Sequence, residues 1–482
     1  MVTETYPSSP LERFARLRKR FPQMHYESVE FEESQNELKV QFSFRIPPLP
    51  PFRTLWRLPK PPGGSSVHHL PWVRNFAFHL GLVEMISYWK GACPPWIHVI
   101  AGELSIAQAL WWRKLFHRGL SEFSYRNGLA VGEEEWVQFV CEKPRDLALL
   151  PWEGSRRSAG ILVPVGGGKD SLVTLHLLQS RQEPIYLFFL NPGKRQWKIA
   201  EYFGFPKERV FVAHRTLDPL LVELNAKGWL NGHIPFSAVL AFASVWVAAL
   251  FGLSHVIVSH EASADCSTVP GTEVNHQYSK SSTFEQDFRQ YLAQWLSPHI
   301  TYFSLLRPWN ELQITHQFSH LPSKVGEIFR SCNARTPDET WCGQCPKCLF
   351  VHIMLSAFLP QPTCRAFLGC DPLNDVSLAK VIDSLTLSDL ASPFECVGTK
   401  EETRAALSAC IHRSANPAHL PLLVRRFAED HRETLFCPEK IAVLLSSWHP
   451  VHWLPKDFEA NLKLRTPSFE EALEELRLPL NA

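Results

Sequence analysis

Apolar and polar residues alternate with period two in LKVQFSFRIP and again in PFRTLWRLPK, which predicts strands. The prolines around them mark extended edges and turns. FAFHLGLVEMISYWK then changes to helical spacing, with Phe76, Leu80, Val83 and Trp89 within reach of one face, and IAQALWWRKLFHRGLSEFSY predicts a second helix. A charged, proline-containing connection from Lys143 to Ser158 marks a domain boundary. Beyond it the rhythm is strand, turn, helix: AGILVPV, GGGKDS and LVTLHLLQS, next PIYLFFLN and KRQWKIAEYFG, then ERVFVAHR, an uncharged helix and HVIVSH. Alternating buried strands and helices predict an α/β fold with a doubly wound parallel sheet, which binds ligands at the carboxyl ends of its strands. Past Pro360 the pattern is helical, and the closing SFEEALEELRL reads as a solvated face. The chain therefore divides into an α+β domain over 1–150, an α/β domain over 158–360 and a mainly helical region over 361–482.

The uncharged stretch from Gly228 to His260 is nearly long enough to span a bilayer. Pro235 opens it, Gly252 closes it and a strand follows at once, so it reads as a buried helix feeding a buried strand, without stable membrane insertion. The 49 basic and 48 acidic residues leave a net charge of +1, too little to hold a polyanion by field alone, and nucleic acid is not an expected partner. MVTETYPSSPLERFARLRKRF has no apolar run after its basic residues, so export is not expected; the expected compartment is the cytoplasm, with the 12 cysteines reduced. Nothing in the sequence sets an oligomeric state.

Two motifs carry chemistry. Gly166, Gly167, Gly168, Lys169, Asp170 and Ser171 lie between a strand and a helix, the context of a phosphate cradle. There the glycines let backbone N–H groups crowd an anion, the helix start adds partial positive charge, Ser171 donates a hydrogen bond and Lys169, on an exposed loop, adds a formal charge. The second motif is SCNARTPDETWCGQCPKC, in which Cys332, Cys342, Cys345 and Cys348 carry two tight CxxC steps. Four thiolates so spaced can close a tetrahedron around a structural zinc; the rival is a redox or sulfur-carrying pair.

VPVGGGKDSLVTL resembles the SGGxDS signature of the PP-loop ATP pyrophosphatases, with Gly166 where that pattern usually has Ser. The resemblance implies ATP cleaved to AMP and pyrophosphate through an adenylated substrate, magnesium held with help from Asp170, and adenosine seated near Asn191 at the next strand end. A PP-loop followed by four cysteines also looks like the cyanodeazaguanine synthases, over roughly the middle 200 residues of the chain. HLGLVEMISYWK, GLSEFSYRNG, VNHQYSKSSTFEQDF, YFSLLRPWNELQI, WCGQCPKCLFV and PFECVGTKEE extend a resemblance over nearly the whole chain to the UDP-N-acetylmuramoyl-L-alanyl-L-glutamate epimerase (MurL) family. That resemblance implies a bacterial cell-wall enzyme that inverts the terminal glutamate of a UDP-muramoyl dipeptide. Inversion needs proton transfer on two faces of Cα. HEASADCSTVPGTEVNHQYSK, after a strand, supplies His276, Asp265 and Glu261 as candidate catalytic groups and Tyr278 and Lys280 as candidate substrate contacts. Arg307, in YFSLLRPWNE, is a further candidate for a substrate carboxylate, with Glu311 for a partner group or a helix-start ion pair as the plain reading. Glu84 and Tyr88, one helical turn apart, read either as substrate groups or as an interface stripe. Another PP-loop ligase or synthase, and a non-enzymatic binding module regulated by ATP, are the alternatives.

Overall fold

Among the described residues, ten strands form one sheet in the order β10-β9-β6-β7-β8-β3-β2-β1-β4-β5. They are β1 (Gln23–Glu33), β2 (Glu37–Arg45), β3 (Phe52–Pro59), β4 (Trp96–Val99), β5 (Gln138–Cys141), β6 (Ile161–Pro164), β7 (Ile185–Leu190), β8 (Val210–Thr216), β9 (His255–Val258) and β10 (Thr301–Ser304). The computed structural model describes residues 9–61, 66–141, 151–153, 160–334, 336 and 339–480. Of the connection from Lys143 to Ser158, only Pro151, Trp152 and Glu153 are among them.

The parallel sheet expected of the α/β domain is corrected in its extent: its strands belong to one larger, mixed sheet. β10, β9, β6, β7 and β8 run parallel, but β3 joins β8 antiparallel, with Leu55 opposite Thr216 and Arg57 opposite His214. From there β3, β2 and β1 form an antiparallel meander, and β4 and β5 add parallel to β1. The proline-flanked strands are thus interior strands and not the expected edges. Pro47, Pro48, Pro50 and Pro51 fall in the connection between β2 and β3 and Pro59 is the last residue of β3, so none of them interrupts the ladder in mid-strand. Alternate burial along β2, with Leu38, Val40, Phe42 and Phe44 inward, keeps the predicted period of two.

The Pro71–Trp89 helix also departs from the one-faced pattern, since nearly every residue from Val73 to Trp89 is buried. It is wedged between the β1–β2 half of the sheet and the apolar Phe236–Phe251 helix, so it has no solvent side. The latter helix has 16 residues, about 24 Å of rise, and ends at Gly252 in the left-handed region (φ 66°) before β9 begins. Among the described residues, no helix is long and apolar enough to cross a membrane. Beyond Ser356 the chain is helical, and its helices pack with the Pro346–Ser356 and Glu311–Ser319 helices in a second core beside the parallel strands.

Candidate active site

β6 lies between β7 and β9, so the chain leaves the middle of the parallel strands in opposite directions, and the carboxyl ends at such a reversal are where open α/β sheets bind ligands. The glycine loop leaves β6 at this point. Gly167 sits at φ +97°, which a side chain would strain, and Gly168 precedes the Lys169–Leu178 helix, whose first turn has no side-chain cap. The loop carbonyls are anchored by protein donors: Gln196 Nε2 to Gly166 at 3.2 Å, Arg330 N to Gly167 at 2.8 Å and Ser171 Oγ to Gly168 at 2.9 Å. The uncapped amides of the helix start remain as donors for an anion.

Lys169 departs from the sequence expectation. It does not stand on an exposed loop: it is 1% exposed, and its ammonium is paired with Asp170 and with Glu311, itself buried at the start of the Glu311–Ser319 helix. Burial alone would lower the Lys169 pKa, but the two carboxylates raise it and hold the cation. Glu261, after β9, completes the group; one oxygen each of Asp170, Glu261 and Glu311 lie within 4.8 Å of one another. Glu261 is buried, with Oε2 lacking any hydrogen-bond partner. Asn191, at φ 48° after β7, spends its amide on the backbone of Arg215, both bonds 2.9 Å long.

The remaining sequence candidates separate by their contacts. Asp265 accepts from Ser282 N at 2.5 Å at the start of the Ser282–Tyr291 helix, and Tyr278 is buried against Phe284. Arg307 is fully buried, with Nε and Nη2 on Glu285 at 3.1 and 3.0 Å, Nη1 on the Glu261 carbonyl at 2.6 Å and a further bond to the Lys280 carbonyl. Its guanidinium is committed to protein, where it positions the backbone of Glu261 and Lys280. Glu84 and Tyr88 form the interface stripe: Glu84 takes a bidentate pair from Arg215 at 2.7 Å, and Tyr88 bonds Thr54 and the Asp218 amide.

His276 meets groups that lie far away in sequence. Its Nδ1 is 2.5 Å from Glu122 Oε2, and it hydrogen-bonds the thiol of Cys396, as does Lys280. Burial works against the imidazolium, but Cys396 and Glu122 hold the His276 pKa up to about 9. Burial likewise opposes ionisation of Cys396, yet Lys280, His276 and Lys347 bring the thiol down to about 6. The segment carrying Cys396 reaches Glu311, the partner of Lys169, as well: a Cβ on Gly398 would lie 3.1 Å from Glu311 Cβ, and Glu402 accepts the Glu311 amide at 3.0 Å. At the four-cysteine cluster, the sulfur separations are 3.9 Å for Cys332–Cys345, 3.7 Å for Cys342–Cys348 and 3.4 Å for Cys345–Cys348.

Comparison with known proteins bears on this arrangement. The model of the MurL N-terminal domain matches residues 15–305, and that of the MurL C-terminal domain matches residues 328–435. The chain belongs to the MurL family. Relatives named UDP-N-acetyl-alpha-D-muramoyl-L-alanyl-L-glutamate epimerase include that of Xanthomonas oryzae pv. oryzae, 36% identical, covering 73% of this chain and 77% of its own. Those of Micromonospora sp. and Salinispora tropica are 34% and 32% identical, covering 72% and 74% of this chain and 77% and 78% of theirs.

In this MurL-family chain, sequence reasoning overlooked Cys396, Glu122 and Glu402. Cys396 has no cysteine at ligand spacing, and Glu122 sits in a short helix, Ser121–Arg126, that looks like an ordinary solvated turn. The usable signal was the thiol inside PFECVGTKEE, a glycine-containing segment ahead of a capped helix start.

Proposed function

We propose that this protein is an ATP-dependent epimerase that converts the terminal L-glutamate of UDP-N-acetylmuramoyl-L-alanyl-L-glutamate to D-glutamate, releasing AMP and pyrophosphate, in bacterial peptidoglycan synthesis. Family membership supports the reaction, and the observation that carries its chemistry is the uncapped glycine loop at the carboxyl end of β6. An ionised carboxylate makes the adjacent Cα–H hard to remove, because the carbanion would form beside a negative charge. Adenylation removes that charge and lets the carbonyl delocalise the electron pair as an enolate. Each 1.36 kcal/mol taken off the barrier is about tenfold in rate, so activation of this kind can dominate catalysis.

On this reading the five parallel strands are a doubly wound unit of the PP-loop type, with adenosine beyond the β7 end near Asn191 and phosphates at Gly166 to Ser171. Magnesium would be held by Asp170, Glu261 and Glu311 together with phosphate oxygens. The three clustered oxygens and the unpartnered Glu261 Oε2 fit a hard cation, which would screen the charge of the departing pyrophosphate. Zinc fits Cys332, Cys342, Cys345 and Cys348: tetrahedral bonds of about 2.3 Å place sulfurs about 3.8 Å apart, near the separations seen. Lys280 and Tyr278 are proposed at the substrate side of the site, and residues 1–150, 158–360 and 361–482 as the three regions of a cytoplasmic enzyme.

The test supplies the UDP-muramoyl dipeptide, ATP and magnesium without ammonia, then follows AMP, pyrophosphate and the chirality of the glutamyl residue after acid hydrolysis of the product. The expected result is D-glutamate with AMP formation. A requirement for ammonia would instead identify an amide-forming or nitrile-forming relative.

A further inference from the structure

Glu122, His276 and Cys396 come from the amino-terminal third, the middle and the carboxyl-terminal part of the chain, yet form one continuous line of polar side chains. Glu122 is fixed by three partners: Arg126 Nε at 2.6 Å, His276 Nδ1 at 2.5 Å and His233 Nδ1 at 3.6 Å. Its helix packs on the thiol-bearing segment, with the Tyr125 ring 5.6 Å from Phe394 and the Arg126 guanidinium 4.8 Å over it. From the other side, Gly398 presses on Glu311 of the Lys169 cluster. Cys396 is thereby clamped between the carboxylate that orients its histidine and the group that pairs with Lys169.

A chain of acid, histidine and thiol is the arrangement that prepares a sulfur for proton or acyl transfer. Cys396 is partly exposed, and Lys280 hydrogen-bonds it from a second direction while lying in the field of Asp170 and Glu261. Gln277 supplies an independent sign of an occupant. Its Nε2 donates to the Val397 carbonyl at 3.1 Å, but its Oε1, on a side chain only 7% exposed, has no partner. A buried amide oxygen without a donor costs free energy unless a bound group supplies one. A peptide N–H is such a donor.

We propose that Cys396 is the base that removes the Cα proton of the activated glutamyl residue, with His276 and Lys280 holding the sulfur as thiolate and Glu122 positioning His276. This inference rests on the adenylating reading above. The Cα–H bond breaks and an S–H bond forms, and the electron pair moves onto the activated carbonyl as an enolate. A water molecule then delivers a proton to the opposite face of Cα, and the hydroxide left behind takes the thiol proton, restoring thiolate and water. No oxidant or further cofactor enters the balance. A disulfide is not involved either: all 12 cysteines, including Cys396, are free.

The test uses the full chain with the UDP-muramoyl dipeptide, ATP and magnesium in deuterium oxide, and reads two half-reactions separately. Peptide-dependent exchange of labelled pyrophosphate into ATP reports adenylation; deuterium at the glutamate Cα reports proton removal. Cys396→Ser should retain pyrophosphate exchange and lose deuterium entry by about 100-fold or more. Deuterium entry at the wild-type rate in Cys396→Ser overturns the proposal. Wild-type protein without peptide-dependent pyrophosphate exchange overturns the adenylating function, and this base with it.

A second measurement needs no variant at Cys396. In wild-type protein at pH 7, iodoacetamide should label Cys396 faster than the exposed Cys141, Cys266 and Cys437, and the dipeptide with ATP should protect it. Labelling of those three ahead of Cys396, or no protection, overturns the proposal. The groups that act on the sulfur are Lys280, His276 and Lys347, with Glu122 and His233 behind His276. Glu122→Gln should therefore move the pH midpoint of Cys396 alkylation upward and lower kcat with little change in KM, and Glu122→Asp should restore both. An unmoved midpoint would overturn the positioning role.

Discussion

Replacing Lys169 by Met tests whether the loop lysine is a surface charge or the centre of a buried cluster. The side chain is about 2% exposed and Glu311 about 1%, so methionine keeps most of the volume but leaves Glu311 and Asp170 without their cation. Breaking a buried pair from one side costs about 3–5 kcal/mol, because the remaining charge keeps its desolvation penalty. At about 2.1 cal/mol/K per residue, the 482-residue chain has an unfolding entropy of about 1 kcal/mol/K. The expected drop in melting temperature is therefore about 3–5 °C, followed by circular dichroism. Adding Glu311→Gln should recover part of the loss, since the amide no longer needs a counter-charge, while both variants lose AMP formation. Asp170→Asn, at a side chain about 21% exposed, should lose AMP formation with little change in melting. A Lys169→Met protein that melts within about 1 °C of wild type would refute the buried-cluster reasoning.

Other perturbations address the rest of the molecule. Cys345→Ser should lose bound metal and lower the cooperativity of unfolding together, because binding at a closed four-sulfur site is folding energy; metal analysis and a melting curve check it. Gly81→Ala should destabilise by at least 1–3 kcal/mol, since the new methyl would collide with the Tyr26 phenol and lie 2.8 Å from Phe42 Cδ1, and urea unfolding measures the cost. His79, buried between Asn75 O and Gln108, is pushed down by burial from 6.5 to about 4. Its neutral form is the one that folds, so the unfolded chain binds the extra proton as pH falls below about 6.5. About 3 kcal/mol is then lost progressively down to about pH 4, and His79→Leu should flatten that part of the stability-against-pH curve.

Much of the parallel half was legible because its signals are local. The β6, β7, β8 and β9 runs, the glycine loop and the helix closed by Gly252 each occupy a short window in which hydrophobic period and turn chemistry agree. What failed depends on partners distant in sequence. A proline-flanked strand looks like an edge until β8 is seen to pair with β3 across more than 150 residues, and a helix of mixed faces looks amphipathic until both sides are covered. Lys169 looked exposed because its loop is polar, whereas Glu311, more than 140 residues later, draws the ammonium inward. The line from Glu122 through His276 to Cys396 has no local spacing at all, and only the folded chain brings it together.

That assembly follows from where the sheet turns around. The glycine loop after β6 and Glu261 after β9 come together because those strands are neighbours, and Arg307, three residues after β10, reaches the Glu261 carbonyl. Arg307 is tied at once to Glu285, to the Glu261 carbonyl and to the Lys280 carbonyl. One buried guanidinium therefore sets the backbone behind a carboxylate of the Lys169 cluster and behind the lysine that faces Cys396. A planar fork of donors can hold three acceptors in fixed directions, which a lysine point charge cannot. On the proposed mechanism, activation of a carboxyl and removal of the adjacent proton occur within one carbon–carbon bond of each other, so the two groups of residues have to keep a constant separation. A rigid, fully buried arginine between their backbones is a physical means of keeping it, and it explains why a residue of such polarity lies in the core rather than on the substrate.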